Sequence, residues 1–314
     1  MFAVSVALAG IGLLAPASQS RGPSEGDPRV RCEFTQATGE LSIVVRDWGA
    51  SEFLALRRDG PVIAPYGPAV EGENRTPLSC SDDATITATD RVAVALADDP
   101  YLHPSFGEFA INYSAGDIAP GRTAETDGES EIELSLDLPG TEVTLGVSNE
   151  AATDYSAKHG RHGVRVDTNG DGDFDVRSTA SATDLFAGDA GDTFTADLGR
   201  RSRSGDPGLG FFGGGGSDRI TTGGASDSAI GGPGPDAIDS RLGSSVILAG
   251  GGADRIRGGP GYQLIDAGTG DDSVDVRRGG TDEIHCGPGR DRLLADKRDI
   301  GDTTGCERIQ TSGS

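Results

Sequence analysis

Lysine is nearly missing from this 314-residue chain: of its 27 basic residues, only Lys158 and Lys297 are lysines. Aromatics are scarce too, at 5%, with one tryptophan and one methionine, which leaves little material for a conventional core. No stretch keeps apolar residues at helical spacing for long, so an α-helical fold is not expected. Neither HExxH nor GxSxG occurs, which speaks against a zinc protease or a lipase. Only four histidines exist, His103, His159, His162 and His285. His159 and His162 have a spacing that one turn can bring to a metal, but their polar Gly-Arg surroundings read better as exposed loop. No acid pair stands out as a catalytic dyad, and no enzyme is expected. Basic charge is short as well, leaving a net charge of −23. Such a field repels nucleic acid and anionic membranes and attracts divalent cations.

What the chain has is glycine, 50 residues of it, and aspartate in register. From Gly213 the sequence divides into blocks of nine: GGGGSDRIT, TGGASDSAI, GGPGPDAID, SRLGSSVIL, AGGGADRIR, GGPGYQLID and AGTGDDSVD. Val276 is one residue out of frame, and RRGGTDEIH and CGPGRDRLL follow. The sixth position reads Asp218, Asp227, Asp236, Ser245, Asp254, Gln263, Asp272, Asp282 and Asp291. The eighth is always aliphatic: Ile220, Ala229, Ile238, Ile247, Ile256, Ile265, Val274, Ile284 and Leu293. Glycines early in each block permit a tight turn. The last three residues alternate as a short strand, with position eight inward and its neighbours outward. This pattern predicts an all-β solenoid, in which each unit buries its apolar side chain only by stacking on the next. Stacked strands lie about 4.7–4.9 Å apart. That is roughly two calcium–oxygen bonds, so aspartates on adjacent loops can share one ion with loop carbonyls. An all-oxygen shell suits Ca2+ rather than zinc or copper.

The blocks resemble the repeat-in-toxin, or haemolysin-type, calcium-binding nonapeptide GGxGxDxUx, with GGPGPDAID at 231–239 matching throughout. The resemblance covers about a quarter of the chain. It implies a parallel β-roll with two nonapeptides per turn and calcium between the loops of successive turns. One edge then carries Asp218, Asp236, Asp254, Asp272 and Asp291, giving three clean intervals and a fourth interrupted by Val276. The other carries Asp227, Ser245, Gln263 and Asp282 and is expected to be metal-poor. Ile230, Val246, Leu248 and Leu264 point outward on that side as an apolar strip, read as a packing surface.

A second acidic segment, DTNGDGDFD at 167–175, places Asp167, Asn169, Asp171 and Asp175 at positions one, three, five and nine. Alternate oxygen ligands on a sharp turn suit calcium, and the segment looks like the DxDxDGxxD loop of integrin-type β-propeller repeats. An EF-hand would want Glu where Ser178 stands.

The opening run, apolar up to Ala15-Pro16-Ala17, has the form of a secretory signal and is short for a membrane span. The expected organisation is a signal peptide over 1–17, a linker over 18–29 and an N-terminal β region over 30–140. A degenerate solenoid over 141–212, the calcium-binding roll over 213–294 and a cap over 295–314 follow. Whether 30–140 continues the solenoid or forms a small sandwich is left open by its alternating segments. The closing segment, with Gly305-Cys306-Glu307-Arg308-Ile309, resembles that of secreted actinobacterial-type calcium-binding repeat proteins. Four cysteines in a secreted chain point to two disulfides. Of three connectivities, the nearest-neighbour one, Cys32–Cys80 and Cys286–Cys306, is favoured. The expected function is a secreted calcium-binding structural or surface protein. The alternative is an adhesin or carbohydrate-binding module scaffolded by calcium, with an extracellular glycan or protein as partner. Neither nucleic acid binding nor membrane insertion is expected.

Overall fold

The structure, a computed structural model, describes residues 29–46, 52–59, 62–70, 84–85, 88–89, 91–96, 108–112, 133–138, 142–146, 154–160, 163–167, 174–180, 182–196, 208–223 and 227–311. The expected signal segment, nearly all of the expected linker, Cys80, His103, His162, Asn169 and Asp171 fall outside these residues. The described chain is almost entirely β, in two long sheets of 14 and 11 strands. Among the described residues no helix is long and apolar enough to cross a membrane.

In the repeats, successive nonapeptides alternate between the two sheets. The 14-stranded sheet takes Arg219–Thr222, Ala237–Ser240, Arg255–Arg257, Ser273–Asp275 and Arg292–Ala295, all parallel. The 11-stranded sheet takes Asp227–Pro233, Ser245–Gly251, Gln263–Asp266 and Glu283–His285, also parallel. Position eight stacks on position eight: Ile220 on Ile238, Ile256, Val274 and Leu293, and Ala229 on Ile247, Ile265 and Ile284. All nine are buried, because the space between the sheets admits one inward side chain per strand from each side. The inserted Val276 is absorbed at a corner. Its side chain is fully buried, its N–H donates to the Leu294 carbonyl at 2.8 Å, and the sheets resume in register beyond it.

The N-terminal strands belong to the same two sheets. Glu40–Val45, Arg91–Leu96 and Glu133–Asp137 are parallel neighbours in the larger sheet. Glu52–Asp59, Glu108–Asn112, Glu142–Gly146, Ala182–Phe186 and Gly208–Phe212 are parallel neighbours in the smaller. One hydrophobic cluster runs from Leu41 to Ala295. Parallel neighbours joined through the opposite sheet make a solenoid, not a sandwich of antiparallel hairpins.

Antiparallel pairs mark where the winding starts and where it is interrupted. Val30–Thr35 folds back on Glu40–Val45 at the outer edge of the larger sheet, and Val62–Val70 on Glu52–Asp59 at the edge of the smaller. Such hairpins cover edges that would otherwise present unpaired backbone. Within 141–212 parallel winding is interrupted once. Asp154–Gly160, Gly163–Asp167 and Val176–Ser178 form an antiparallel meander wedged between Glu133–Asp137 and Thr193–Ala196. Gly163 at its bend has φ +152°, and a side chain there would run into the Ser178 carbonyl.

At the C-terminal end, Thr303–Thr304 and Arg308–Thr311 add the last strand to each sheet. Cys286 and Cys306 are disulfide-bonded across this last step. Cys32 is disulfide-bonded as well, and none of the described cysteines is free.

Candidate metal centre

The loops of the roll are held by glycine stacked on glycine. Gly234, Gly252 and Gly270 take φ of +134°, +144° and +139°, and each sits against the carbonyl of its counterpart one turn earlier. A β-carbon at Gly270 would collide with the Gly252 carbonyl, which is backbone and has nowhere to go. Gly270→Ala is therefore expected to destabilise the chain by more than about 1 kcal/mol, beyond the ordinary effect of exchanging glycine for alanine. Chemical denaturation checks this; a variant as stable as the parent would contradict the stacking.

This tight loop delivers the sixth-position aspartates to one buried row. Asp218, Asp236, Asp254, Asp272 and Asp291 are each no more than 2% exposed. The N–H of Asp218 donates to Asp236 Oδ1, that of Asp236 to Asp254, that of Asp254 to Asp272 and that of Asp272 to Asp291, all at 2.8 Å. The last of these spans the Val276 insertion without lengthening. The row extends further than the repeat frame indicates. Asp192 N–H donates to Asp218 Oδ1 at 2.8 Å, and Asp291 N–H donates to Glu307 Oε2 at 2.8 Å. Asp192 was legible in AGDAGDTFT at 187–195, a block whose inward residue is Phe194 instead of an aliphatic one.

One oxygen of each carboxylate thus has a backbone donor and the other has none. Oδ2 of Asp218, Asp236, Asp254, Asp272 and Asp291 is buried with no hydrogen-bond partner. A single such atom costs about 1–3 kcal/mol, and native structures hold few of them. Two of these oxygens can be placed against their surroundings. A β-carbon built on Gly213 would fall on Asp218 Oδ2 and 2.7 Å from the Gly231 carbonyl oxygen. One built on Gly231 would fall on Asp236 Oδ2 and 2.5 Å from the Ala249 carbonyl oxygen. At these two positions carboxylate and carbonyl oxygens of adjacent turns therefore converge beside a glycine that leaves the space open. Burial pushes the carboxyls of Asp218, Asp236 and Asp272 up to about 6, against the lowering effect of the amide donors. Asp254 and Asp291 are raised for the same reason. The neighbouring acid adds to the rise in every case.

Among the described residues no three His, Cys, Asp or Glu side chains gather into one cluster. Each interval of the row brings two carboxylates, so any metal shell there would be completed by carbonyls. No family model, no curated protein and no solved structure matches the chain. The functional argument therefore rests on the geometry of this row.

The opposite edge is built differently. Asp227 accepts N–H bonds on both oxygens, from Leu209 at 3.2 Å and Gly223 at 2.8 Å. Where aspartate gives way, neutral groups bond to one another. Ser245 Oγ lies 3.0 Å from Ser240 Oγ and 3.3 Å from Thr222 Oγ1, Ser240 Oγ donates to Gln263 Oε1, and Gln263 Nε2 donates to the Gly243 carbonyl. The exception is at the cap. Asp282 N–H donates to Asp299 Oδ1 at 3.1 Å, so the tail supplies this edge with one carboxylate pair. Asp282 is pushed up to about 7 by burial and by Asp299 and Asp296, and its Oδ2 has no partner. The strip of Ile230, Val246, Leu248 and Leu264 lies half-buried on the outer face of the smaller sheet.

Of the acidic segment 167–175, only Asp167, Phe174 and Asp175 are among the described residues. Asp167 and Asp175 are buried and stand just beyond Val166 and Val176, the last register pair between Gly163–Asp167 and Val176–Ser178. Phe174 beside them lies under the Lys158 ammonium at 4.7 Å and the Arg165 guanidinium at 4.8 Å. His285 is bonded to Thr304 Oγ1 at 2.6 Å, an arrangement that ties the cap and leaves the acid row untouched.

Proposed function

We propose that the chain is a secreted calcium-binding structural or surface protein, of the kind whose glycine- and aspartate-rich nonapeptides fold around Ca2+. The observation that carries this reading is the row of five buried carboxylate oxygens with no hydrogen-bond partner, two of which, on Asp218 and Asp236, lie beside a glycine and a carbonyl of the next turn. Such a donor set is hard, anionic and all oxygen, which fits calcium. Asp218 with Asp236, Asp236 with Asp254, Asp254 with Asp272, and Asp272 with Asp291 would hold the ions, with carbonyls such as those of Gly231 and Ala249 beside them. A bound divalent cation supplies the positive charge that the buried row lacks. The protein's own part is to present Oδ2 while Oδ1 stays on the amide of the preceding turn. Asp282 with Asp299 is a further acid pair at the cap, and the 167–175 loop remains a separate calcium candidate. Disulfides support an extracellular location, where calcium is abundant and thiols oxidise.

Calorimetric titration of the chelator-stripped full chain is expected to show several calcium ions bound per molecule. Magnesium should bind far more weakly, because it demands a compact octahedron and holds its water. Absence of calcium binding at millimolar concentration would overturn the proposal.

A further inference from the structure

The outward face of the larger sheet carries two columns of side chains beside the aspartate row. One reads Thr221, Asp239, Arg257, Asp275, Leu294 and Gln310 in register. Its charges are matched: Arg277 lies 2.8 Å from Asp275, Arg241 lies 3.5 Å from Asp239, and Arg257 stands between the two acids. The other column, next to the aspartate row, reads Thr193, Arg219, Ala237, Arg255, Ser273, Arg292 and Arg308. It has four arginines and no acid. All four are exposed, and none forms an ion pair among the described residues. On a chain of net charge −23, an unmatched basic row is conspicuous.

We propose that Arg219, Arg255 and Arg292 form a linear binding row for an acidic polysaccharide with one carboxylate on alternate sugars. Arginine alternates with a small residue, so the guanidinium groups recur every second strand, about 9.6 Å apart. A cleft of about 510 Å3 lies between Arg219 and Arg255, lined by Ala237 between them and by Ser217, Pro235 and Ala253 at the side. A neutral sugar fits the gap and the flanking carboxylates meet the arginines, whose planar forks pair with carboxylate through two parallel bonds. Other anions fit less well. Double-stranded DNA carries one charge per about 1.7 Å and would bring mostly unmatched phosphates to an acidic protein. An extended acidic peptide repeats its side chains on one face every 6.6 Å or so. A bilayer presents a plane of charge, while only one column here is basic and Asp239 and Asp275 stand in the next.

This inference rests on the calcium reading in one respect: Asp192, Asp218 and Asp236 also line the cleft, and their charge must be neutralised before an anion settles above them. The test uses the full chain in millimolar calcium with fluorescently labelled hyaluronan, which carries a carboxylate on every second sugar. Saturable binding is expected, weakened about fivefold by Arg255→Ser and more than about tenfold by the Arg219→Ser/Arg255→Ser pair. Arg257→Ser, from the matched column, should change it less than about twofold. Calcium stoichiometry, read by calorimetry on the same variants, should stay at the parent value. Calcium bound without hyaluronan overturns the arginine row alone; no calcium bound overturns the metal reading. Equal loss at Arg257, equal binding of neutral dextran, or tighter binding of duplex DNA or phosphatidylglycerol vesicles also overturns the row.

Discussion

In chelator, the melting temperature of the chain should fall as pH rises from about 4.5 to about 7.5, and in millimolar calcium it should rise over the same interval. Metal-free, the folded protein holds protons on Asp218, Asp236 and Asp272 up to about pH 6 and on Asp282 up to about pH 7. In the unfolded chain an aspartate releases its proton near about 3.9. Below that value both states are protonated and the difference vanishes. Above it the unfolded chain ionises first, so the native state binds more protons and stability falls with each increment of pH. The loss is complete once the folded groups have ionised, above about 7. Calcium inverts the sign, because protons then compete with the ion for the same oxygens and fade as competitors on the alkaline side. Four sites held at a hundred times their dissociation constant contribute roughly 11 kcal/mol. At about 2–4 °C per kcal/mol, the two melting curves should differ by more than about 15 °C near neutral pH. A slope of the same sign in both conditions would show that the row is not a calcium site.

Asp254→Asn should remove two calcium ions per chain, and Asp227→Asn none. Asp254 stands between Asp236 and Asp272, so it would serve two intervals. The amide keeps an acceptor for Asp236 N–H and replaces the partnerless Oδ2 with a donor, which cannot ligate a cation. Calorimetry reads the stoichiometry directly. Losing two sites at a hundredfold excess of calcium costs about 5 kcal/mol. In chelator the order should reverse, because the substitution deletes a buried charge that nothing there compensates, and the variant should melt no lower than the parent. Asp227 differs because both its oxygens are already bonded to amides and its neighbour along that edge, Ser245, is part of a neutral network. Equal loss of calcium from the two substitutions would rule out the asymmetry between the edges.

The repeats were open to reading because two constraints recur at fixed spacing. Position eight must be apolar to fill a narrow interior, and on the edge of the larger sheet position six is an aspartate that accepts the amide of the preceding turn. Residues that meet the same constraints at other spacings escape the frame. Asp192 stands 26 residues before Asp218, and Glu307 stands 16 after Asp291, yet both end the row with 2.8 Å bonds. Asp299 escaped for a related reason, since a tail segment brings it beside Asp282. In the N-terminal part the inward strand positions were visible in alternation, as at Leu41, Ile43 and Val45. Their topology was not, because alternation says which residues face inward and nothing about which strand lies alongside. The meander around Gly163 shows the limit: its strands alternate as the solenoid strands do, and only the pairing separates them.

The disulfide at the end of the roll changes how a pulling force would enter the molecule. Tension on the C-terminus passes from Cys306 through sulfur to Cys286 and skips everything between them, a loop that could otherwise pay out roughly 70 Å of chain. Asp291, the last aspartate of the row, and its strand Arg292–Ala295 lie inside that bypassed loop. A tether attached at the tail would therefore peel Arg308–Thr311 and Glu307 first and then strain Glu283–His285 before it could reach Asp291, so the covalent link shields the last aspartate of the row.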